Sequence, residues 1–382
     1  MKVLQILERL VRFPTLPQQP NVELLDYVAE HLRAVGVEPQ FLREPGGERG
    51  GLVAVIGPSV PGGIVLSAHA DVVSVDGQHW TVPPWQLTVR DDRLYGRGTA
   101  DMKGFIACCL ELLPDLDLAR LSRPLILAIS HDEEIGCVGA PLLVKHIAQH
   151  VPRPAAVIVG EPTSMRVVHG HKGVAVYETS VRGRAAHSSL THTAASATLA
   201  GGQLVVRLGE IAARLRDGGR RDEAFVPPYT TVNVGIVRGG EASNIVAAAC
   251  MLRWDVRPIP GDDPGAILAE LQEYCDATVL PAMRRTTAEA EIKTEVFASA
   301  PPLSPAMDPA AHDLVLSLLK EDAASIVSFT TEAGLFQQAG MSAIVCGPGS
   351  IEQAHKPDEF VERAQLEACS RLLRSLVDDL SH

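Results

Sequence analysis

The sequence lacks the features that define several protein classes. No apolar run reaches about 18 residues, so no membrane-spanning helix is expected. The formal charge at pH 7 is −12, which repels nucleic-acid phosphates and argues against a nucleic-acid partner. No G-x-x-x-x-G-K-[ST] segment is present, and VIGPSVPGG, which follows an early predicted strand, supplies no G-x-G-x-x-G. A nucleotide-binding α/β protein is therefore disfavoured.

Cysteine is scarce, and nothing in its spacing indicates disulfides or a thiolate metal site. There are seven cysteines, an odd number, and none forms a C-x-x-C pair. The N-terminal stretch MKVLQILERLVRF predicts a charged amphipathic helix without the apolar core and cleavage site of a signal peptide. These features predict a cytoplasmic protein with reduced core cysteines.

The sequence does contain enough apolar residues to build a sizeable core. Its 382 residues are 46% hydrophobic and 21% charged, a length and composition that predict two or three domains. In residues 1–171, short apolar runs alternate with segments of helical periodicity, which is typical of an α/β domain with covered strands. Strands are predicted at 51–56, 63–68, 125–130 and 155–160, and helices at 22–35, 103–113 and 137–149.

The pattern changes after HGHKG (169–173). Strands with alternating apolar and polar residues now predominate, and the predicted order over 172–299 is βαββαβ, the ferredoxin-like arrangement. Residues 300–382 return to the first pattern, with helices near 308–320 and 363–380 and a short strand MSAIVCG. We therefore predict one α/β domain, formed by 1–171 and 300–382, interrupted by an inserted domain at 172–299.

Histidine and acidic residues follow several of the buried strands. In IVLSAHAD (64–71), His69 comes at the end of an apolar strand and Asp71 lies two residues on. Ligands of α/β proteins bind beyond the carboxyl ends of such strands. A carboxylate in this place can fix the tautomer of a metal-bound imidazole. A surface pair or a local hydrogen bond is the alternative for this short motif.

Two further segments add carboxylates. Asp101 lies in GRGTADMKG between glycines and before a helix, where it is either a functional group or a helix N-cap. Glu133 and Glu134 follow the apolar strand LILAIS, and adjacent buried carboxylates repel each other unless a cation or a shared proton intervenes. Solvated surface acids are the alternative for that pair.

Glu161 after the strand AAVIVG and His355 after a Gly-Pro-Gly turn complete the pattern. Five strand-end or loop segments thus offer carboxylates and two imidazoles, without a thiolate. This donor set suits a pair of divalent ions such as Zn²⁺, Co²⁺ or Mn²⁺ better than a structural zinc site.

These segments resemble those of the di-zinc aminoacylase/carboxypeptidase-type metallopeptidases, and most closely the acetylornithine deacetylase family. The resemblance runs from residue 67 to residue 359, and its most specific parts are TEAGLF and GPGSIEQAHKPDE. The other matching segments are SAHADVV, GRGTADMKG, HDEEIG, GEPT, GRAAHSS, GGEASNIV and DVRPIPG.

The resemblance implies a role for each residue of the predicted metal site. Two divalent metal ions, expected to be Zn²⁺ with Co²⁺ as an alternative, would share Asp101. His69 and Glu161 would complete one site, and Glu134 and His355 the other. Asp71 would orient His69, and Glu133 would be the general base. A cis peptide bond after the bridging aspartate is typical of the family.

The remaining expected roles concern the substrate, and of these the role of His187 is the one that the resemblance implies. His187 in GRAAHSS would donate to the oxyanion in the partner subunit's site, which requires a homodimer through the inserted domain. Arg257, helped by Asn244, would bind the α-carboxylate, although a structural ion pair is the alternative for this arginine. Glu332 would meet a cationic side-chain amine. Gly347 and Ser350 would shape the pocket floor.

The expected reaction is hydrolysis of an N-acyl-L-amino acid, with N²-acetyl-L-ornithine of arginine biosynthesis as the expected substrate. Another N-acyl-amino-acid hydrolase, a desuccinylase or a dipeptidase of the same superfamily is the alternative, and a non-catalytic binding member is a further one. A serine nucleophile at Ser188–Ser189 is disfavoured, because no G-x-S-x-G elbow is present.

Overall fold

The computed structural model describes residues 2–305 and 308–382. Within these ranges the chain forms ten α-helices: α1 (Lys2–Val11), α2 (Val22–Ala34), α3 (Lys103–Leu112), α4 (Ala140–His150), α5 (Ala197–Gly218), α6 (Pro264–Tyr274), α7 (Leu280–Arg284), α8 (Ala310–Leu319), α9 (Ala333–Gln338) and α10 (Arg363–Leu380). Shorter helical turns lie at Leu113–Asp115, Ser188–Thr193 and Cys275–Val279.

The described residues also form fifteen strands. They are β1 (Gln40–Arg43), β2 (Gly50–Ile56), β3 (Ile64–His69), β4 (Thr88–Arg90), β5 (Arg93–Tyr95), β6 (Leu125–Ser130), β7 (Ala156–Val159), β8 (Val168–His171), β9 (Val174–Arg182), β10 (Thr231–Gly239), β11 (Ala249–Arg257), β12 (Glu291–Ala300), β13 (Ser325–Val327), β14 (Ala343–Val345) and β15 (Phe360–Glu362).

The chain divides into two compact units. Unit 1 comprises Met1–His171, Leu303–Val327 and Thr331–His382, and unit 2 comprises Lys172–Pro302 and Ser328–Thr330. None of the helices in the described ranges combines the length and apolar content needed to cross a membrane. All seven cysteines are free and buried, as the sequence predicts.

Unit 1 is built on an eight-stranded sheet with the order β1-β2-β6-β3-β7-β14-β8-β13. The central strands β6, β3, β7 and β14 are parallel to one another, whereas β1 and β2 pair in antiparallel fashion at one side. Every residue of β3, β6 and β7 is buried, which explains their nearly continuous apolar sequences. Helix α3 packs against α1 and α10 within the main core cluster. The α/β prediction is confirmed.

Several details of unit 1 differ from the sequence-based prediction. Helix α4 begins at Ala140 and not at residue 137, because Gly136 and Cys137 have φ values of 108° and 59°, outside the helical range. The short helix α9 and six strands of unit 1 were not predicted: β1, β4, β5, β8, β13 and β15. β13 is only three residues long and partly exposed, so its sequence shows no periodicity.

Unit 2 has the predicted βαββαβ order, formed by β9, α5, β10, β11, α6 and β12. Its four-stranded antiparallel sheet has the strand order β10-β11-β9-β12. Alternate residues of β11 are buried, as its sequence pattern indicates. Trp254 anchors this core: it is 1% exposed, stacks on Tyr177, and donates its indole N–H to Thr179 Oγ1 at 3.0 Å.

The parallel strands of unit 1 determine where polar side chains gather. Strands β3, β6, β7 and β14 run in the same direction and end at His69, Ser130, Val159 and Val345. The loops that follow these ends therefore meet at one edge of the sheet.

Candidate metal centre

His69, the last residue of β3, is the innermost residue of the cluster at this edge and is only 1% exposed. Its Nδ1 lies 2.9 Å from the backbone oxygen of Asp71. Since a carbonyl only accepts, Nδ1 donates its proton here, so Nε2 is the nitrogen that a neutral ring would offer to a cation. This Nε2 lies 3.0 Å from Asp101 Oδ1 and 3.6 Å from Glu161 Oε1.

Asp101 lies between the two histidines of the cluster. Its Oδ1 faces His69, and its Oδ2 lies 3.3 Å from His355 Nε2. The alternative that Asp101 is a helix N-cap is wrong, because the cap position of α3 is Met102, without a side-chain cap bond. The Asp101–Met102 peptide bond is cis, as the resemblance implies.

The remaining predicted ligands lie around this centre. His355 Nε2 is 2.9 Å from Glu134 Oε2. One ligand atom from each of His69, Asp101 and Glu134 falls within 4.8 Å of the others, and the same holds for His69, Glu133 and Glu161. The structure thus brings together all five predicted ligands and Glu133, although they are separated by up to 286 residues in the sequence.

Asp71 is placed differently from the prediction. Its backbone oxygen, not its carboxylate, orients His69, since the carboxylate oxygen is 3.7 Å from Nδ1. The carboxylate instead accepts the backbone N–H groups of Glu133 and Glu134, each at 3.0 Å. Asp71 therefore fixes the turn that presents both glutamates.

Glu133 lies beside the cluster, four residues before a buried thiol. Cys137 donates to Glu133 Oε1 with a sulfur–oxygen distance of 3.2 Å. Burial raises the pKa of this thiol well above its usual value, with the charge of Glu133 adding to the rise, so the thiol remains a protonated donor.

Burial and mutual repulsion act on the carboxylates of the cluster, and nearby positive charge would relieve both. Burial raises the pKa of Glu133 to about 8, that of Glu134 to about 7, and that of Glu161 well above its usual value, and neighbouring carboxylates add to each rise. Burial also acts on Asp101, but hydrogen bonds from His355 and His69 hold its pKa below the usual value. Hydrogen bonds to Asp101 and Glu134 raise the pKa of His355 to about 10.

A divalent cation fits this donor set. Glu161 Oε1 is a buried carboxylate oxygen without a hydrogen-bond partner in the described part of the chain. Buried unpaired carboxylates are costly unless a cation compensates them. Two imidazole nitrogens with several carboxylate oxygens are the ligands typical of zinc and related ions.

Glu332 does not lie where its charge led us to expect it. It is 1% exposed and accepts hydrogen bonds from Ser67 Oγ, at 3.1 Å, and from Ser130 Oγ. These serines belong to β3 and β6, so the carboxylate links two strands within the unit 1 sheet. Burial raises the pKa of Glu332 to about 7. A contact with a substrate amine is therefore not supported.

Gly347 and Ser350 lie along the Glu161 segment. The carbonyl of Gly347 accepts the N–H groups of Thr163 and Met165, and its own N–H donates to Thr163 Oγ1 at 3.2 Å. A side chain at Gly347 would collide with the backbone of Gly160, so only glycine permits this approach. Ser350 pairs with Thr163 in an isolated bridge.

Within unit 2, His187 and Asn244 are neighbours. The carbonyl of Asn244 accepts the N–H of Ser188 at 2.9 Å, and His187 pairs with Ile245. His187 is exposed, and its Nδ1 accepts the N–H of Ser189 at 3.2 Å. Because Nδ1 is an acceptor, the ring proton resides on Nε2, which makes Nε2 a donor.

Arg257 ends β11 and is held by two contacts within unit 2. Its Nε donates to Asp255 Oδ1 at 3.3 Å, and one terminal nitrogen donates to Thr330 Oγ1 at 3.3 Å. The side chain is 42% exposed. The ion pair that the sequence left as an alternative is thus present, and the exposed part of the guanidinium still offers further donors.

Sequence reasoning missed several residues around the cluster. Besides Cys137, these are Glu359, Arg97 and Gln78, which form a hydrogen-bond network between the Asp101 and His355 loops. The only local signal was that Arg97 and Glu359 belong to the motifs GRGTADMKG and GPGSIEQAHKPDE.

Comparisons with known proteins agree with this geometry. The model for Peptidase family M20/M25/M40 matches residues 65–379. An acetylornithine deacetylase from Proteus mirabilis is 35% identical over 365 residues, which cover 94% of this chain and 90% of that protein. The same-named protein of Myxococcus xanthus is 36% identical over 380 residues, which cover 97% and 95%.

Solved structures share the fold at low sequence identity. An M20 family metallo-carboxypeptidase from Sulfolobus solfataricus has a TM-score of 0.78 at 18% identity, over 100% of this chain and 99% of that one. A dinuclear metal-binding M20 peptidase from Bacillus subtilis has a TM-score of 0.64 at 16% identity, over 98% and 96%. With the family model matching most of the sequence, the chain belongs to peptidase family M20/M25/M40 and is a hydrolase of that family.

Proposed function

We propose that the protein hydrolyses the amide bond of an N-acyl-L-amino acid with the help of two divalent metal ions. The observation that supports this most directly is the cluster of two imidazoles and four carboxylates, buried except at His355, at the carboxyl edge of the unit 1 sheet. The family membership supports the same reaction class.

The cluster suggests how the ligands divide. Asp101 contacts both histidines through different oxygens, which suits a bridging carboxylate. His69 with Glu161, and His355 with Glu134, would then complete the two sites. Zn²⁺ is the ion we propose, and Co²⁺ would be accepted by the same donors. Bound ions would supply positive charge that acidifies water and polarises a carbonyl group.

Glu133 is proposed as the general base. It lies outside the ligand set but next to Glu134, and Asp71 fixes its backbone. The thiol of Cys137 donates a hydrogen bond to Oε1 of Glu133. Oε2 makes no hydrogen bond to the residues described, so it is the oxygen available to a water molecule. Glu133 would take a proton from the attacking water and deliver it to the leaving amine.

His187 and a homodimer complete the proposal. The Nε2–H of His187 would stabilise the developing oxyanion in the partner subunit's site. We expect that His187→Ala and Glu133→Ala proteins, each nearly inactive, regain activity when mixed and allowed to exchange subunits, because one site then has both groups. The control is each inactive variant taken alone through the same exchange procedure, which should stay inactive. Subunit exchange is verified by giving the two variants different sizes, so that the mixed dimer can be detected. If mixed dimers form and activity does not return, His187 does not act across the dimer.

Substrate recognition is proposed to rest on an α-carboxylate. Arg257 would bind this carboxylate through the guanidinium N–H groups that its contact with Asp255 leaves exposed. Asn244 would add a further donor. The named relatives and the TEAGLF segment support N²-acetyl-L-ornithine as the substrate. Another N-acyl-amino acid, a succinylated diamino acid or a dipeptide is the second candidate, because each of them carries a carboxylate that Arg257 would bind in the same way.

A substrate panel tests this proposal. Metal-reconstituted protein is offered N²-acetyl-L-ornithine, N-acetyl-L-methionine, N-succinyl-diaminopimelate and a dipeptide, and the released amine is measured. We expect kcat/KM to be highest for acetylornithine. If another substrate is preferred, the proposed amide hydrolysis is supported but the assignment of acetylornithine as the substrate is wrong. If none is hydrolysed by protein with two bound ions, the proposed activity is wrong.

A further inference from the structure

Beyond the ligands, the carboxylate of Glu359 organises the backbone that carries Asp101. It is 1% exposed and accepts four hydrogen bonds. Oε1 accepts the N–H groups of Ala100 and Asp101 at 2.9 and 3.0 Å. Oε2 accepts the N–H of Gly98 at 2.9 Å and a guanidinium N–H of Arg97 at 2.7 Å. One side chain thus fixes the backbone around Asp101.

Arg97 extends this network toward the second loop. It is 1% exposed, and the terminal nitrogen that meets Glu359 also donates to the carbonyl of Lys356 at 3.3 Å. The other terminal nitrogen donates to Gln78 Oε1 at 2.6 Å. A buried guanidinium with several fixed acceptors is a rigid connection, because its donors lie in one plane.

Gln78 joins the network to His355 itself. Its Nε2 donates to the backbone carbonyl of His355 at 2.9 Å, while its Oε1 accepts from Arg97 and from the indole N–H of Trp80. The side chain of His355 is 54% exposed, whereas that of Asp101 is 7% exposed. Packing therefore does little to hold His355, and its position depends on how its loop is anchored.

We propose that Glu359, Arg97 and Gln78 form a positioning clamp that sets the distance between Asp101 and His355. This inference rests on the proposed function, in which the two residues hold metal. The clamp binds the backbone at Asp101 on one side and the carbonyl of His355 on the other. Since only one of the two metal sites includes His355, loss of the Gln78 contact weakens that site selectively.

The test is Zn²⁺ binding by the metal-free full-length protein, measured by isothermal titration calorimetry. Gln78→Ala removes all three side-chain hydrogen bonds of Gln78, those with His355, Arg97 and Trp80. Gln78→Glu keeps an acceptor for Arg97 but loses the donor to His355. The control is Gln353→Ala, an amide on the same loop whose side chain makes no hydrogen bond to any described residue. Melting temperatures of the metal-free proteins report any general destabilisation.

We expect one of the two Zn²⁺ affinities to fall about 10–100-fold in both Gln78 variants, as for other residues that orient metal ligands, with the other affinity and the melting temperature retained. The Gln353→Ala protein is expected to bind as wild type does. Wild-type affinities in both Gln78 variants, or an equal loss at both sites, would overturn the clamp. If wild-type protein does not bind two ions, the proposed dinuclear centre is wrong, and the clamp proposal, which depends on it, is also wrong.

Discussion

Replacing Glu133 with glutamine is expected to lower kcat by about 10²–10⁴-fold, the usual contribution of a group that transfers protons in the transition state. Glutamine keeps the size of the side chain and the backbone N–H that donates to Asp71, but it cannot accept a proton from water. KM and bound metal should change little, since Glu133 is not among the proposed ligands. Steady-state kinetics and metal analysis of the purified variant check this.

A matched control is Glu352→Gln, an exposed glutamate on the loop that precedes His355. It removes the same charge without touching the cluster, and we expect wild-type kinetics. If Glu133→Gln loses metal along with activity, Glu133 is a ligand and the assignment of the base is wrong. If it stays fully active, the proton is transferred by another group.

Removing the metal is expected to abolish activity and to destabilise the protein. In metal-free protein the carboxylates of Glu134 and Glu161 are buried beside Asp101, so their mutual repulsion opposes the native state. An ion that binds only the folded chain stabilises it by about 4 kcal/mol when present at about 1,000 times its Kd. A chelator should therefore lower the melting temperature as well as kcat.

The measurement compares chelated protein with protein to which Zn²⁺, Co²⁺ or Mg²⁺ is returned. Zn²⁺ and Co²⁺ are expected to restore both activity and melting temperature. Mg²⁺ should not, because it prefers an octahedral oxygen site and two of the donors here are imidazoles. Activity that survives complete removal of metal would refute the metal-dependent mechanism.

The candidate site was predictable because the strands that end there are parallel. His69, Glu134 and Glu161 follow buried apolar strands, which the sequence marks clearly, and parallel strands deliver their ends to one edge. The inserted domain was predictable for a similar reason: its strands alternate, whereas those of unit 1 do not. In both cases the order of apolar and polar residues within single strands is enough to predict where those strands lie in the fold.

The remaining features depend on contacts between distant residues, which leave no local pattern. Gln78 contacts the His355 loop 277 residues away, and Glu359 contacts Asp101 across 258 residues. Glu332 was expected at a substrate amine because of its charge, but hydrogen bonds from Ser67 and Ser130 hold it within the sheet. Asp71 was expected to act through its carboxylate, and the structure shows its backbone in that role.

The ends of the insertion have a consequence for how such a chain can evolve. His171, just before the insertion, and Leu303, just after it, form an antiparallel bridge with both N–H···O distances at 3.1 Å. Any segment placed between them starts and finishes at adjacent points, so its length adds little to the entropy of loop closure. An insertion at this point leaves His171 and Leu303 paired, and closely spaced ends of this kind are where a chain tolerates an inserted domain.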